Sequence, residues 1–267
     1  MPLIRDYGLN DSAAAEKFVS MALEEFDYIV DVLPGAWAEM EQNRASQRMA
    51  SVRVSLLEYM SAAYAMQDIK IFQKTCDAFL AHGLTRSRAV VPTRAQLATD
   101  LALAISRGHM REARDTCARV LSGPKLADEE SAAALCAYAL AALVDLDYRR
   151  AEISATLLIQ QCEAKKFSKF ESTLHAHWAH AAEMIARRDD SMLDLHFQNI
   201  ADTRRLHIDR ELARWNKGQP TELSATDFWD WSSTALASIA QSFGYRFNTD
   251  GGRKFEFADN NWTEQAG

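Results

Sequence analysis

LALAISRGHMREARDTCARVL at residues 101–121 and YALAALVDLDYRRAEISATLL at 138–158 decide the fold. Placing Ile105 on Leu143 superimposes His109 on Asp147, Met110 on Tyr148 and Ala113 on Ala151, an offset of 38 residues. A looser copy, HAAEMIARRDDSMLDLHFQNI at 180–200, puts Ile185 on Leu143 at an offset of 42, and YMSAAYAMQDIKIFQKTCDAFL at 59–80 keeps the shape with few of the letters. Each copy reads as a helix rich in small residues, a short polar turn, and a second helix. Helices with Ala-rich inner faces approach closely, and each hairpin buries the apolar side of the next. The expectation is an all-α chain, an irregular array of antiparallel helical hairpins of tetratricopeptide-like type, with sparse consensus letters and a varying period.

Composition agrees: 48% of the 267 residues are hydrophobic, with only 10 Gly and 5 Pro, a balance that suits packed helices. Helices are expected near 12–32, 36–66, 69–81, 93–107, 110–121, 129–145, 148–164, 170–187, 190–215 and 225–243. Breaks fall at Pro34-Gly35, His82-Gly83, Arg107-Gly108, Gly123-Pro124 and Gly218-Gln219-Pro220, and Asp128, Ser131, Ser224 and Thr226 are candidate amino-terminal caps. The whole, residues 1–267, reads as a single helical domain. Its tail changes character: in YRFNTDGGRKFEF (245–257), Tyr245 and Phe247 alternate on one side of Asp250-Gly251-Gly252, and Phe255 and Phe257 on the other. That pattern predicts a short C-terminal β-hairpin, and since two strands alone are marginal in water, its aromatics must pack on the helices.

Several function classes find no support. The start, MPLIRDYGLND, lacks the basic and apolar runs of an export signal, and the longest apolar run, Ala132 to Val144, falls short of the roughly 20 residues that span a bilayer. A cytoplasmic protein without a membrane partner is expected. Cys76, Cys117, Cys136 and Cys162 are widely spaced within apolar helical patterns and read as buried thiols. Phosphate-binding glycine loops and nucleophile elbows are missing, so no catalytic residue and no cofactor is expected. The net charge of −7 is concentrated: residues 1–41 carry Asp6, Asp11, Glu16, Glu24, Glu25, Asp27, Asp31, Glu39 and Glu41 against Arg5 and Lys17, while the other 226 residues balance. An acidic first segment repels nucleic acid and attracts basic surfaces.

HAHWAH at 175–180 raises the question of a metal. Leu174, Trp178, Ala181 and Ile185 form one stripe at 100° per residue, the buried face of a helix. His175 and His177 then lie on opposite flanks, whereas His177 and His180 share a side with Glu183 close by. A zinc site needs a third or fourth ligand, and no other cluster has ligand-like spacing. The expectation is a polar helix flank with no metal; in an enzyme assembled from separate helices, His177, His180 and Glu183 are the candidate residues.

Two aromatic-acidic stretches suit contact with a basic partner, the rings as anchors and the carboxylates for steering. In EEFDYIVD (24–31) the candidates are Glu24, Glu25, Asp27, Tyr28 and Asp31. In TDFWDWSS (226–233) Trp229 is expected to face the core with Leu236 and Ala240, leaving Asp227, Asp230 and Trp231 on the flanks.

LHAHWAHAAEMIARRDDSMLDLHFQNIADTRRLHIDRELARW (174–215) followed by FWDWSSTALASIAQSFGYRF (228–247) resembles the bacterial immunity protein 49 family. The likeness lies in an Ala-rich helix, a charged turn, a long helix ending in basic and His residues, and a small-residue helix closing with A-x-x-x-G, here Ala240 and Gly244. It covers roughly residues 90–247, and the hairpins from about 97 to 160 fit the same layout. The resemblance implies a non-enzymatic cytosolic antitoxin that binds the effector domain of a secreted toxin and protects the producing cell, with no catalytic residues to carry over. A basic nuclease would suit the acidic segment as that partner. The alternative is a helical-repeat scaffold or adaptor holding another protein or peptide.

Overall fold

The computed structural model describes residues 8–41, 46–66, 68–81, 92–122, 126, 131–164, 166–249 and 255. Among them are eleven α-helices and no strand: α1 (Ser12–Phe26), α2 (Ile29–Glu41), α3 (Ser46–Ala65), α4 (Ile69–Ala81), α5 (Arg94–Ser106), α6 (Met110–Ser122), α7 (Ala132–Val144), α8 (Tyr148–Glu163), α9 (Lys169–Arg187), α10 (Leu193–Trp215) and α11 (Trp231–Ser242), with a 3-10 turn at Ala225–Phe228. None is long and apolar enough to cross a membrane; the apolar run Ala132–Val144 is α7, buried along most of its length.

The repeat seen in the letters is a repeat of turns. After α5, α7 and α9 the chain takes a left-handed residue at Gly108 (φ 68°), Leu146 (φ 59°) and Arg188 (φ 57°), spaced by the same 38 and 42 residues. At each turn the next amide reaches back five residues: His109 N–H donates to Ala104 (2.9 Å), Asp147 to Ala142 (2.8 Å) and Asp189 to Met184 (3.0 Å). These bonds satisfy carbonyls that the helix end leaves without an intrahelical donor. Glycine adopts the turn freely at position 108, whereas an L side chain there costs on the order of 1 kcal/mol.

Contacts divide the chain into two compact units, 1–91 with 204–230 and 92–203 with 231–267, so the division falls within α10. In the first unit Val19 of α1, Ala62 and Ala65 of α3, Ile208 and Leu212 of α10, and Phe228 form one core cluster. Phe18 meets Trp215 edge-on at 5.5 Å. Glu211, 1% exposed, pins the segment after α10 by accepting from Thr221 Oγ1 (3.1 Å) and the Glu222 amide (3.2 Å) while Arg210 and Arg214 bind the same carboxylate. Burial opposes its charge, but these donors hold the carboxyl down at about 2.

In the second unit α5 pairs with α6, α7 with α8 and α8 with α9, while α5 also packs on α7 and α11. Alanines make this closeness sterically available: Ala102, Ala104, Ala137, Ala139, Ala141 and Ala142 are buried. Hydrogen bonds fasten the pairs, Ser154 Oγ to the Leu135 carbonyl (2.7 Å) and Arg94 Nε to the Val120 carbonyl (3.0 Å).

Caps and breaks match the sequence at Ser131, which accepts from the Ala134 amide, at Ser224, which caps the 3-10 turn, and at the turns 107–108 and 218–220. They differ near Pro34, which lies inside α2. The break falls instead at Asp27-Tyr28, and Pro34, which has no amide hydrogen, removes one backbone bond from the interior of α2. Residues 82–83, 123–125 and 127–130, including Asp128, lie outside the described residues.

The expected β-hairpin is not seen among the described residues. Residues 245–249 form no strand, and the turn 250–252 and Phe257 lie outside the described residues. The Asp194 carboxylate takes the bonds a ladder would have made, accepting from the Asn248 and Thr249 amides and Thr249 Oγ1 at 3.0–3.3 Å. Phe247 and Phe255 are buried against Phe197 of α10, with ring centroids at 4.8 and 5.6 Å, so these aromatics pack on a helix as expected.

Candidate functional site

The first acidic stretch straddles the turn between α1 and α2. Glu24, Glu25 and Asp31 are exposed, and so are two large apolar groups beside them, Tyr28 at 57% and Met21 at 51%. Asp27 is partly committed inward, for its carboxylate accepts from the Tyr59 hydroxyl of α3 at 3.0 Å. Burial, then Asp27, pushes that phenol up to about 12.

The second stretch divides. Asp227 closes the 3-10 turn by accepting from the Ser224 amide at 2.8 Å. Asp230 and Trp231 are corrections to the expected surface, being 5% and 8% exposed; Asp230 binds Arg204 Nε at 2.8 Å. The helical phase that set them on the flanks does not hold, because Trp229 is in an extended conformation and α11 begins only at Trp231. Trp229 therefore stacks on Phe72 (5.5 Å, 16°) and does not share a helix with Leu236 and Ala240.

Glu58 joins the two stretches. Its carboxyl is held above the usual carboxylate range by burial and by the charges of Glu25 and Asp227. Three elements of the first unit, α1, α3 and the 3-10 turn, thus bring carboxylates into one another's field. The sequence gives no local sign of Glu58, which is a single acid in the middle of SLLEYM. Its role comes from the packing of α3 against the turn.

HAHWAH has a different partner from those weighed in sequence. The stripe Leu174, Trp178, Ala181 and Ile185 is buried as the periodicity requires, and His175 turns to the Phe167 ring on the opposite flank (5.3 Å). His177 Nδ1 lies 3.2 Å from His196 Nδ1 on α10. The His180 ring is 5.2 Å from that of His196, and His180 Nδ1 is 3.6 Å from Glu183. Burial, followed by the charges of His180 and His177, lowers His196 to about 4; burial and His180 also lower His177. A signal for His196 was present: it lies eight residues after the turn residue Arg188, as His180 lies eight before it. Among the described residues, no group of three or more His, Cys, Asp or Glu has a metal-holding arrangement.

A cleft of about 320 Å³ is lined by Met184, Arg188, Asp189, Leu193, Phe243 and Tyr245. The Arg188 guanidinium lies over the Phe243 ring at 3.9 Å and donates to the Tyr148 hydroxyl, contacts that compensate its left-handed backbone. Cys117 and Cys162 are buried, and burial raises both thiols, Cys117 to about 12, which keeps them unreactive.

The chain matches no protein-family model, no curated protein and no solved structure in the comparisons made.

Proposed function

We propose that this chain neutralises a toxin by binding its effector domain, acting as an immunity protein through the acidic aromatic surface of the first unit. The observation that carries the reading is the turn between α1 and α2, where Glu24, Glu25 and Asp31 are exposed together with Tyr28 and Met21; Glu58, whose carboxyl is raised by burial and then by the charges of Glu25 and Asp227, adds a further acid in the field of the first stretch. Negative charge in that arrangement is compensated by an arriving basic surface. An exposed aromatic within it supplies the anchor that steering charges alone lack. The resemblance of residues 90–247 to the immunity protein 49 family points to the same reading, and an all-helical chain of paired helices offers a firm surface for a protein partner. A basic effector such as a nuclease is the partner this charge favours.

The test is co-purification of the tagged chain with the product of the adjacent gene, followed by growth of cells expressing that product alone or with this chain. A stable complex and restored growth are expected. The variant Glu24→Lys/Glu25→Lys/Asp31→Lys should slow association about tenfold or more at low salt, with the difference shrinking as salt rises. An unchanged rate would remove this surface from the interface. Absence of both complex and rescue would make an adaptor for another protein or peptide the better reading.

A further inference from the structure

We propose that His177 and His196 form a two-imidazole seat for a late first-row divalent ion, Cu2+ above all, with solvent completing its coordination. The two Nδ1 atoms are 3.2 Å apart. Imidazole nitrogens bound to one ion at about 2.0–2.1 Å lie about 2.9 Å apart at a right angle and about 3.4 Å apart at the tetrahedral angle. The observed separation falls between these limits and is one that a single ion spans. The rings come from different helices, α9 and α10, on the two sides of the turn at Arg188, so their spacing is set by packing and not by flexible side chains alone.

His180, whose ring lies 5.2 Å from that of His196 at an interplanar angle of 30°, stands beside the pair as a further nitrogen donor. Among the described residues no group of three or more His, Cys, Asp or Glu is placed to hold a metal, so the pair suits an ion that binds well to two nitrogens and water rather than a closed zinc site. Among divalent first-row ions that is Cu2+, at the top of the affinity order for nitrogen ligands. A proton shared between the two rings accounts for the same separation, and ion and proton compete for the same lone pairs.

The experiment titrates the full chain with Cu2+ at pH 7.4, read by calorimetry and by the nitrogen splitting in electron paramagnetic resonance. One ion per chain, with the signature of at least two imidazole nitrogens, is expected. His177→Gln and His196→Gln should each weaken binding about tenfold or more, while His175→Ala leaves it unchanged. Glutamine keeps an amide where the ring was, and circular dichroism identifies which variants are folded; either folded variant suffices. No Cu2+ binding by the wild-type chain, or binding that neither glutamine variant alters, would overturn the proposal and leave a shared proton as the whole role of the pair.

Discussion

Acidification should loosen the α9–α10 hairpin through His196, and the effect can be calculated. In the unfolded chain a histidine titrates near 6.5, whereas in the folded chain His196 holds out to about 4 because burial and two neighbouring histidines oppose its charge. Above pH 6.5 neither state binds the proton and stability is complete. As the pH falls below 6.5 the unfolded state takes up the proton first, so stability declines by about 1.4 kcal/mol per pH unit until the folded ring also titrates. The full window corresponds to roughly 3 kcal/mol, and solvent at the edge of the half-buried ring reduces this to about 2 kcal/mol. The assay is urea unfolding of wild type and His196→Gln at pH 7.5 and 4.5, by circular dichroism. The variant should be about 1 kcal/mol less stable at pH 7.5 through lost packing and hydrogen bonding, and at pH 4.5 it should equal or exceed wild type. A stability difference that stays constant between the two pH values, within about 0.5 kcal/mol, would refute the linkage.

The repeated turn gives a pair of opposite predictions. Gly108→Ala should cost about 1 kcal/mol by placing a side chain at φ 68°, whereas Leu146→Asn should add about 0.5 kcal/mol, since Asn tolerates this region and Leu146 is 58% exposed; thermal melts at neutral pH compare them. Glu58→Gln should stabilise the chain by about 0.5 kcal/mol at pH 7. That gain should vanish below pH 4 in urea titrations, because the raised folded carboxyl is disfavoured only where it would be ionised. Glu211→Ala should cost about 2–3 kcal/mol by leaving buried donors without an acceptor. Its penalty should shrink as pH falls from 4.5 toward 2, the interval in which wild type loses the contribution of this depressed carboxyl.

What could be read in advance follows the range of the interaction concerned. The hairpins were legible because their determinants are local: Ala-rich faces repeat at helical spacing, and the turns at 108, 146 and 188 recur at the offsets that align the letters. Ser131 and Ser224 cap as their positions suggest for the same reason. The tail misled because alternation of Tyr245 and Phe247 describes a strand equally well as any extended segment. What decides between them is Asp194, some 50 residues earlier, whose carboxylate satisfies the amides of Asn248 and Thr249. In the acidic surface, Glu24, Glu25, Tyr28 and Asp31 were found and are exposed. Glu58 was missed because only tertiary packing puts it near Glu25 and Asp227, and Asp230 was misassigned because it lies between the 3-10 turn and α11 and pairs with the distant Arg204 of α10. His196 went unnoticed on the same ground, although equal distance from a tight helical turn is a usable sign of proximity.

The core of the first unit has a consequence for synthesis. Ala14, Ala15 and Val19 of α1 are covered by Ile208 and Leu212 of α10 and by Phe228, residues translated some two hundred positions later. The Asn10 amide likewise waits for Asp209. At about 5–20 residues per second, the part of α1 that packs on α10 and Phe228 stays uncovered on the ribosome for roughly 10–40 s while the second unit is being made. During that interval its solubility rests on the charged side of the same helix, Glu16, Lys17, Glu24 and Glu25. The acids of α1 thus guard the nascent chain, so neutralising them should lower the yield of folded protein in the cell even where the purified variant is as stable as wild type.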